Sequence, residues 1–238
     1  MKPYNEEESK KEQVRDMFDN IAPTYDRLNH ILSVNIDRLW RRRVVRLVRR
    51  MQPKQVLDVA TGTGDLAIAM ARKIADCHIH GVDLSAQMLS IARQKVAERG
   101  LSEKISLDVG DAEHLDVADG SVDVATVAFG VRNFENLELG LREMHRTIKE
   151  GGHIVILEFS TPSSCIFGAL YRWYSHKVLP FIGRLISRDG AAYDYLPSSV
   201  DEFPAPERFM EMLREAGFRN CKARSQSFGI AQIYTAER

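Results

Sequence analysis

Three stretches of this chain combine residue types that can hold a ligand. The first is Val56-Leu57-Asp58-Val59-Ala60-Thr61-Gly62-Thr63-Gly64-Asp65-Leu66, an apolar strand that runs through a glycine-containing turn into a helix. Gly62 and Gly64 permit positive φ and close backbone approach, and the first amides of the helix behind them have no partner within it. The second stretch, Gly81-Val82-Asp83, ends another apolar run nineteen residues past Gly64. A carboxylate there can accept from both hydroxyls of an adenosyl ribose, or it can cap the next helix. Dinucleotide-binding units share both features, with Gly62-x-Gly64-x-x-Ala67 as the fingerprint. The third is Gly110-Asp111-Ala112-Glu113-His114-Leu115, followed by Asp119-Gly120-Ser121-Val122-Asp123.

A different chemistry belongs to Phe129-Gly130-Val131-Arg132-Asn133, which follows the apolar run Val122–Ala128. Open α/β sheets bind ligands at the C-terminal ends of their strands, so a guanidinium and an amide at this point can face a reacting oxygen. Arg132 and Asn133 are therefore the candidate catalytic pair. The competing role for Arg132 is an ion pair that ties loops together. His145 and His176 are weaker candidates for a base and stay outside the pair.

These stretches need a sheet to position them. Apolar runs Gln55–Val59, His78–Asp83, Ile105–Val109, Val122–Ala128 and His153–Phe159 alternate with helical patterns at Leu66–Ala75, Ser85–Arg99 and Phe134–Lys149. That alternation predicts a parallel sheet with helices on both faces. Ser85 is suited to cap its helix and Gly100 to end it. Before the first strand, residues 6 to 51 read as helices interrupted near Pro23. After the fifth come an aromatic-rich insert from Pro162 to Pro197, a helix from Pro206 to Ala216, and two strand-like runs, Phe218–Ser225 and Ile230–Ala236, joined near Gly229 as a closing hairpin.

With the third stretch included, the chain resembles class I S-adenosylmethionine-dependent methyltransferases. The resemblance implies an α/β, Rossmann-like fold: a mostly parallel seven-stranded sheet with a C-terminal antiparallel hairpin. It implies S-adenosyl-L-methionine as cofactor, with Asp111 contacting the adenine amino group and Ala112 lending backbone. Asp58, Gly62, Thr63, Gly64 and Asp83 then match the methionine and ribose contacts. Gly151-Gly152 matches the family's turn before the fifth strand, with Glu150 where proline is common.

Two further regions narrow the resemblance. Met17-Phe18-Asp19-Asn20-Ile21-Ala22-Pro23-Thr24-Tyr25-Asp26-Arg27-Leu28-Asn29, continuing to Trp40-Arg41, and Ala128 to Asn133 with Leu157-Glu158-Phe159-Ser160-Thr161-Pro162, resemble the ubiquinone/menaquinone C-methyltransferase family. Tyr174 to Pro180 and Tyr193-Asp194-Tyr195-Leu196 extend the likeness over nearly the whole chain. It implies C-methylation of a polyprenylated naphthoquinol, demethylmenaquinol, with the benzoquinol precursor of ubiquinone, or both, as the alternative. A phenol titrates near 10, so on that chemistry Arg132 is expected to stabilise the hydroquinol's phenolate and Asn133 to orient it or a bridging water. Tyr25 and Asp26 are implied at the substrate entrance, and Asp26 can equally serve as a cap. A scaffold that binds cofactor without turnover is the reading from a different class. The sequence departs from the family at Asn35, where glycine is frequent, and at Ala128, which replaces a serine common in some relatives.

The composition sets limits. Thirty-three basic residues balance thirty-three acidic ones among 238. No global charge draws the chain to nucleic acid, and the Asn/Asp-Pro-Pro-aromatic motif of exocyclic-amine methyltransferases is absent. An oxidoreductase using NAD would leave Asp111 and the two later regions unexplained. Cys77, Cys165 and Cys221 lack metal-ligand spacing and are odd in number, so neither a metal nor a disulfide framework is expected. The N-terminus has no secretory apolar core, and the greasiest stretch, Val178 to Ile186, is broken by Pro180, Gly183 and Arg184. A cytoplasmic location is expected.

One domain over residues 1–238 is expected, with a helical cap over 1–51 and a substrate-covering insert over 162–200. Phe167, Tyr171, Trp173, Tyr174 and Phe181 are suited to cover a quinol head. Arg38 to Arg50 holds seven arginines around an apolar stripe, Trp40, Val44, Leu47, Val48 and Met51. Such a helix either packs its stripe on the core with a solvated back or lies on anionic lipid, as a peripheral contact at the inner face of the cytoplasmic membrane. The oligomeric state is not legible.

Overall fold

The computed structural model describes residues 2–4, 7–33, 35–162 and 190–238. Aliphatic strands covered on both faces order themselves in parallel at its centre. They are β1 (Gln55–Val59), β2 (His78–Asp83), β3 (Ile105–Val109), β4 (Val122–Ala128) and β5 (Ile148–Phe159). Two antiparallel strands, β6 (Arg219–Gln226) and β7 (Ala231–Glu237), complete a seven-stranded sheet in the order β3-β2-β1-β4-β5-β7-β6. The Rossmann-like arrangement and the closing hairpin are thus as the sequence predicted. Gly151, at φ 73, turns the backbone at the register shift between the β4 pairings of Ile148 and His153.

Alternate strand residues point to opposite faces, so each face has its own core. Val56, Ile79, Ile105, Val124 and Val155 pack beneath α2 (Ile36–Arg50), α3 (Asp65–Ala71) and α4 (Ala86–Glu98). Leu57, Ala125, Val127, Ile154 and Ile156 pack beneath α5 (Leu137–Thr147) and α7 (Pro206–Glu215). Ser85 caps α4, its hydroxyl accepting from the Met88 N–H at 3.0 Å, and Gly100 follows the helix at φ 63. Asn35, the residue before α2, is left-handed at φ 59, a conformation that asparagine tolerates and glycine adopts freely.

The N-terminal segment departs from expectation: α1 runs unbroken from Lys10 to Leu32 with Pro23 inside it. An interior proline costs about 3 kcal/mol. Val14, Met17 and Ile21 are buried against Met88 and Tyr195, and burying each such side chain is worth about 1.5–3 kcal/mol, so packing outweighs the proline. Tyr195 comes from α6 (Gly190–Glu202), which also lies against the short 3-10 turn Val131–Asn133.

Candidate cofactor and substrate site

Strand order reverses between β1 and β4, and the crevice beyond the C-terminal ends of those strands is where open α/β sheets take ligands. The chain leaves β1 through Ala60 and Gly62, at φ 52 and 56, and enters α3 through Gly64 at φ 78. Gly130, after β4, must be glycine, because a Cβ there would stand 2.6 Å from the Ala60 side chain. The two loops therefore touch and form the floor of the crevice.

A cavity opens above that floor. Gly62, Asp83, Leu84, Asp111, Ala112 and Asn133 line it from the sheet side, and Lys11, Val14, Phe18 and Tyr25 line it from α1. The Asp83 carboxylate accepts from the backbone N–H of Gly62 at 2.7 Å and of Ser85 at 2.9 Å. Burial pushes its pKa up to about 6, against the pull of those two N–H groups. A smaller polar cavity shares Tyr25, Ala60, Gly62 and Ala128 and adds Asp58, Thr61, Thr63, Asp65 and Arg41. Asp58 is buried and accepts from the hydroxyls of Thr61 at 2.7 Å and Thr126 at 2.6 Å. Burial also raises it to about 6, opposed by those hydroxyls and by the charge of Arg41, and reinforced by Asp83.

Helix α1 is tied to all three ligand-lining loops. Lys11 Nζ meets Asp111 Oδ2 at 2.5 Å and Glu113 at 3.4 Å. Asp19 accepts from the Ser85 hydroxyl at 2.5 Å. Asp26 accepts from the Thr63 hydroxyl at 2.5 Å and pairs with Lys95, which reaches Asp65 as well. Asp111 also accepts from the Glu113 N–H at 2.9 Å. Burial would raise Asp111, but the hydrogen bonds from Lys11 and Glu113 and the Lys11 charge hold it below the ordinary carboxylate value.

The candidate catalytic pair divides at this point. Asn133 faces the first cavity, while Arg132 faces a neighbouring one of about 240 Å³ with Lys10, Tyr195, Ser199 and Glu202. Arg132 donates to the fully buried Glu158 at 2.6 Å and to the Phe129 carbonyl at 2.6 Å, and its guanidinium lies 5.4 Å over the Phe159 ring. The Tyr195 hydroxyl donates to Asn133 Oδ1 at 3.3 Å, and burial pushes that phenol up to about 12.

The structure thus brings Asp58, Gly62, Thr63, Asp83, Asp111, Ala112, Tyr25 and Asn133 to the walls of two adjoining cavities. Gly64 sits behind the turn, where a Cβ would stand 3.2 Å from that of Ala92. Asp26 braces the turn through Thr63. Sequence reasoning missed Lys11, Lys95, Tyr195 and the role of Glu158, whose contacts all cross between distant elements. Arg41 was legible only as the neighbour of Trp40; among the described residues it is the sole cation lining the smaller cavity. The insert aromatics and His176 lie outside the described residues. Among the described residues no group of His, Cys, Asp and Glu is arranged to hold a metal, and no helix is long and apolar enough to cross a membrane.

These residues suit a ligand with an adenosine end and a zwitterionic, cationic end. Gly62 has open space on its cavity side, Asp83 and Asp111 present acceptors, and Asp58 and Arg41 present opposite charges in one polar recess. Residues 6–238 match the model of the ubiE/COQ5 methyltransferase family. A demethylmenaquinone methyltransferase of Bacteroides fragilis is 46% identical over 236 residues, covering 99% of this chain and 96% of that protein. A ubiquinone/menaquinone biosynthesis C-methyltransferase UbiE of Geobacter sulfurreducens is 47% identical over 230 residues, covering 96% and 90%. Among solved structures, the [4+2]-cyclase SpnF superposes with a TM-score of 0.69 at 19% identity, covering 96% of each chain. A SAM-dependent methyltransferase of Aquifex aeolicus gives 0.57 at 17%, covering 77% of this chain and 81% of that one. These structural likenesses show the fold alone, since one such fold hosts different reactions.

Proposed function

The chain belongs to the ubiE/COQ5 methyltransferase family, and on that premise we propose that it methylates a ring carbon of demethylmenaquinol, with S-adenosyl-L-methionine as methyl donor. The observation that carries the reading is the meeting of Asp83, Asp111 and Asn133 in one cavity at the switch point of the sheet. When bound, the cofactor would supply an activated methyl group on a positively charged sulfur, with the neutral thioether as leaving group. Asp83 would accept from the ribose hydroxyls, and Asp111 would accept from the adenine amino group beside Lys11. Asp58 would take the α-ammonium and Arg41 the α-carboxylate.

On the substrate side, Asn133 is the group nearest the chemistry. Its Oδ1 is engaged by the Tyr195 hydroxyl, which a pKa of about 12 keeps protonated, and its Nδ2 donates one N–H to the Phe129 carbonyl at 3.5 Å and keeps the other as a donor toward the cavity. A donor favours the ionised form of a phenol and so raises the electron density of the ring carbon that is to be methylated. Arg132 is a positioning residue in this reading. Its bonds to Glu158 and the Phe129 carbonyl fix the turn that carries Asn133, and its own charge is largely spent on Glu158. The ring proton lost after methyl transfer passes to water.

The benzoquinol precursor of ubiquinone is the second reading, favoured by the 47% identity to a relative whose name covers both pathways. Purified protein is incubated with S-adenosyl-L-methionine and each reduced quinone, and the lipid product is weighed by mass spectrometry. Gain of one methyl on the naphthoquinol alone is the expected result. Methylation of the benzoquinol alone selects the second reading, and no transfer to either quinol refutes both.

A further inference from the structure

Large apolar side chains are exposed at five places among the described residues: Tyr4, Ile36, Leu39, Val109 and Phe228. Three of the five gather around Trp40. Ile36 and Leu39 occupy the first turn of α2, which leads to Trp40, and the Trp40 indole N–H donates to the Ser227 hydroxyl at 3.0 Å, beside Phe228. Phe228 is 76% exposed and sits at φ 61, a left-handed backbone that is costly for an aromatic residue.

The charge around these three side chains is of one sign. Arg38, Arg42, Arg46, Arg49 and Arg50 are exposed on α2, whose single acid, Asp37, is buried against Arg41 and Ser33. Arg43 bonds Gln226 at the end of β6, which fixes the α2-facing side of that edge strand. Alternation along β6 then puts the exposed Lys222 and Arg224 on the same side as Gln226, while Cys221 and Ala223 face the α5–α7 core. A chain balanced overall at thirty-three charges of each sign thus carries a local cluster of exposed basic residues on this face.

That face adjoins the site. Trp40 lies 6.1 Å from both Phe129 and Phe159, at the C-terminal ends of β4 and β5. Phe159 in turn pairs with Ala231, just past the turn that carries Phe228.

We propose that Ile36, Leu39 and Phe228, ringed by the arginines of α2 and by Lys222 and Arg224, form the surface by which this protein docks on an anionic lipid bilayer. Apolar side chains enter the acyl boundary while the basic ring meets lipid phosphates, the pattern of an interfacial contact. The inference deepens the quinol reading, because a polyprenyl tail keeps the substrate in the bilayer and the docked face abuts the floor of the site. A soluble polyanion would engage the basic ring but make no use of Leu39 or Phe228.

The test is flotation of the full chain with vesicles of phosphatidylcholine alone or with phosphatidylglycerol. Wild type is expected to float with the anionic vesicles only, and to be released by high salt. A basic residue near such a surface is worth about a fivefold change in partition, so Arg42→Gln with Arg46→Gln lowers binding about 25-fold. Leu39→Gln with Phe228→Asn lowers it about tenfold at constant charge, asparagine keeping the left-handed turn comfortable. Both double variants are expected to methylate a short-tailed quinol in detergent as wild type does, and to lose turnover of long-tailed quinol in vesicles. The proposal is overturned if wild type ignores anionic vesicles, if the apolar pair is dispensable for flotation, or if heparin is bound as tightly as the vesicles. Residue-dependent flotation by a protein that methylates no quinol would leave the surface standing and refute the functional reading.

Discussion

Cofactor affinity should fall steeply as the solution is acidified through pH 6, and the fall should depend on Asp58 and Asp83. Both carboxylates are raised to about 6, chiefly by burial. A ligand carrying an ammonium and a sulfonium favours the ionised forms and returns both pKa values toward the ordinary range. Below 6 each carboxylate must lose a proton before the ligand binds, and the apparent affinity drops by a factor of 1 + 10^(pKa − pH). At pH 5 that factor is about tenfold for each carboxylate, against almost none at pH 7.5. With both acting, the Kd of S-adenosylmethionine should rise about 100-fold between pH 7.5 and pH 5. Calorimetry in two buffers of different ionisation enthalpy should register proton release on binding near pH 6. Asp83→Asn should reduce the pH-dependent part to about tenfold, and S-adenosylhomocysteine, which lacks the sulfonium, should show a shallower profile. An affinity that stays flat from pH 7.5 to pH 5 in protein that remains folded would refute the reasoning.

Three further outcomes follow from the same contacts. Arg41→Ala should raise the Kd of S-adenosylmethionine about 10- to 100-fold, as expected for a lost charge-assisted hydrogen bond, yet leave decarboxylated S-adenosylmethionine almost unaffected; equal weakening of both ligands in calorimetry would count against a carboxylate contact. Arg132→Leu should destabilise the protein by about 3–5 kcal/mol, because Glu158 stays buried without its partner, and Arg132→Leu with Glu158→Leu should recover only part of that in chemical denaturation, since Glu158 also accepts from the backbone N–H groups of Arg132 and Phe159. A recovered double variant with normal kcat would show the pair to be dispensable for turnover, whereas low kcat with unchanged cofactor Kd supports positioning of Asn133. Asp58→Asn should stabilise cofactor-free protein at pH 7.5, since a folded-state pKa raised to about 6 means stability lost as pH rises through that value. The gain, on the order of 1–3 kcal/mol, should shrink by pH 5, and thermal melts at the two pH values check it.

The order of strands, the glycine turn and the acids at the ends of β1, β2 and β3 were legible because each is local. A period of two along an apolar run, a glycine that must turn, or an aspartate just past a strand needs no distant partner to be recognised. The same holds for the Ser85 cap and for Arg132-Asn133 as a polar pair beyond β4. Pro23 misled as a local signal, because its cost is offset only by the apolar face that α1 buries on α4. What the sequence by itself determined was therefore the fold, most of the residues that line the two cavities and the family.

Tertiary structure decided the division of labour within the site. It turned Arg132 onto Glu158 and away from the cavity that Asn133 faces, brought Lys11 to Asp111 from 100 residues away, and left Arg41 as the cation of the recess that holds Asp58. It also set the turn that carries Phe228 against α2, 187 residues apart at the Trp40–Ser227 contact. Such pairings depend on where the sheet's crossovers bring separate elements together, and a charge reveals its role only when its counter-charge and its solvent exposure are known.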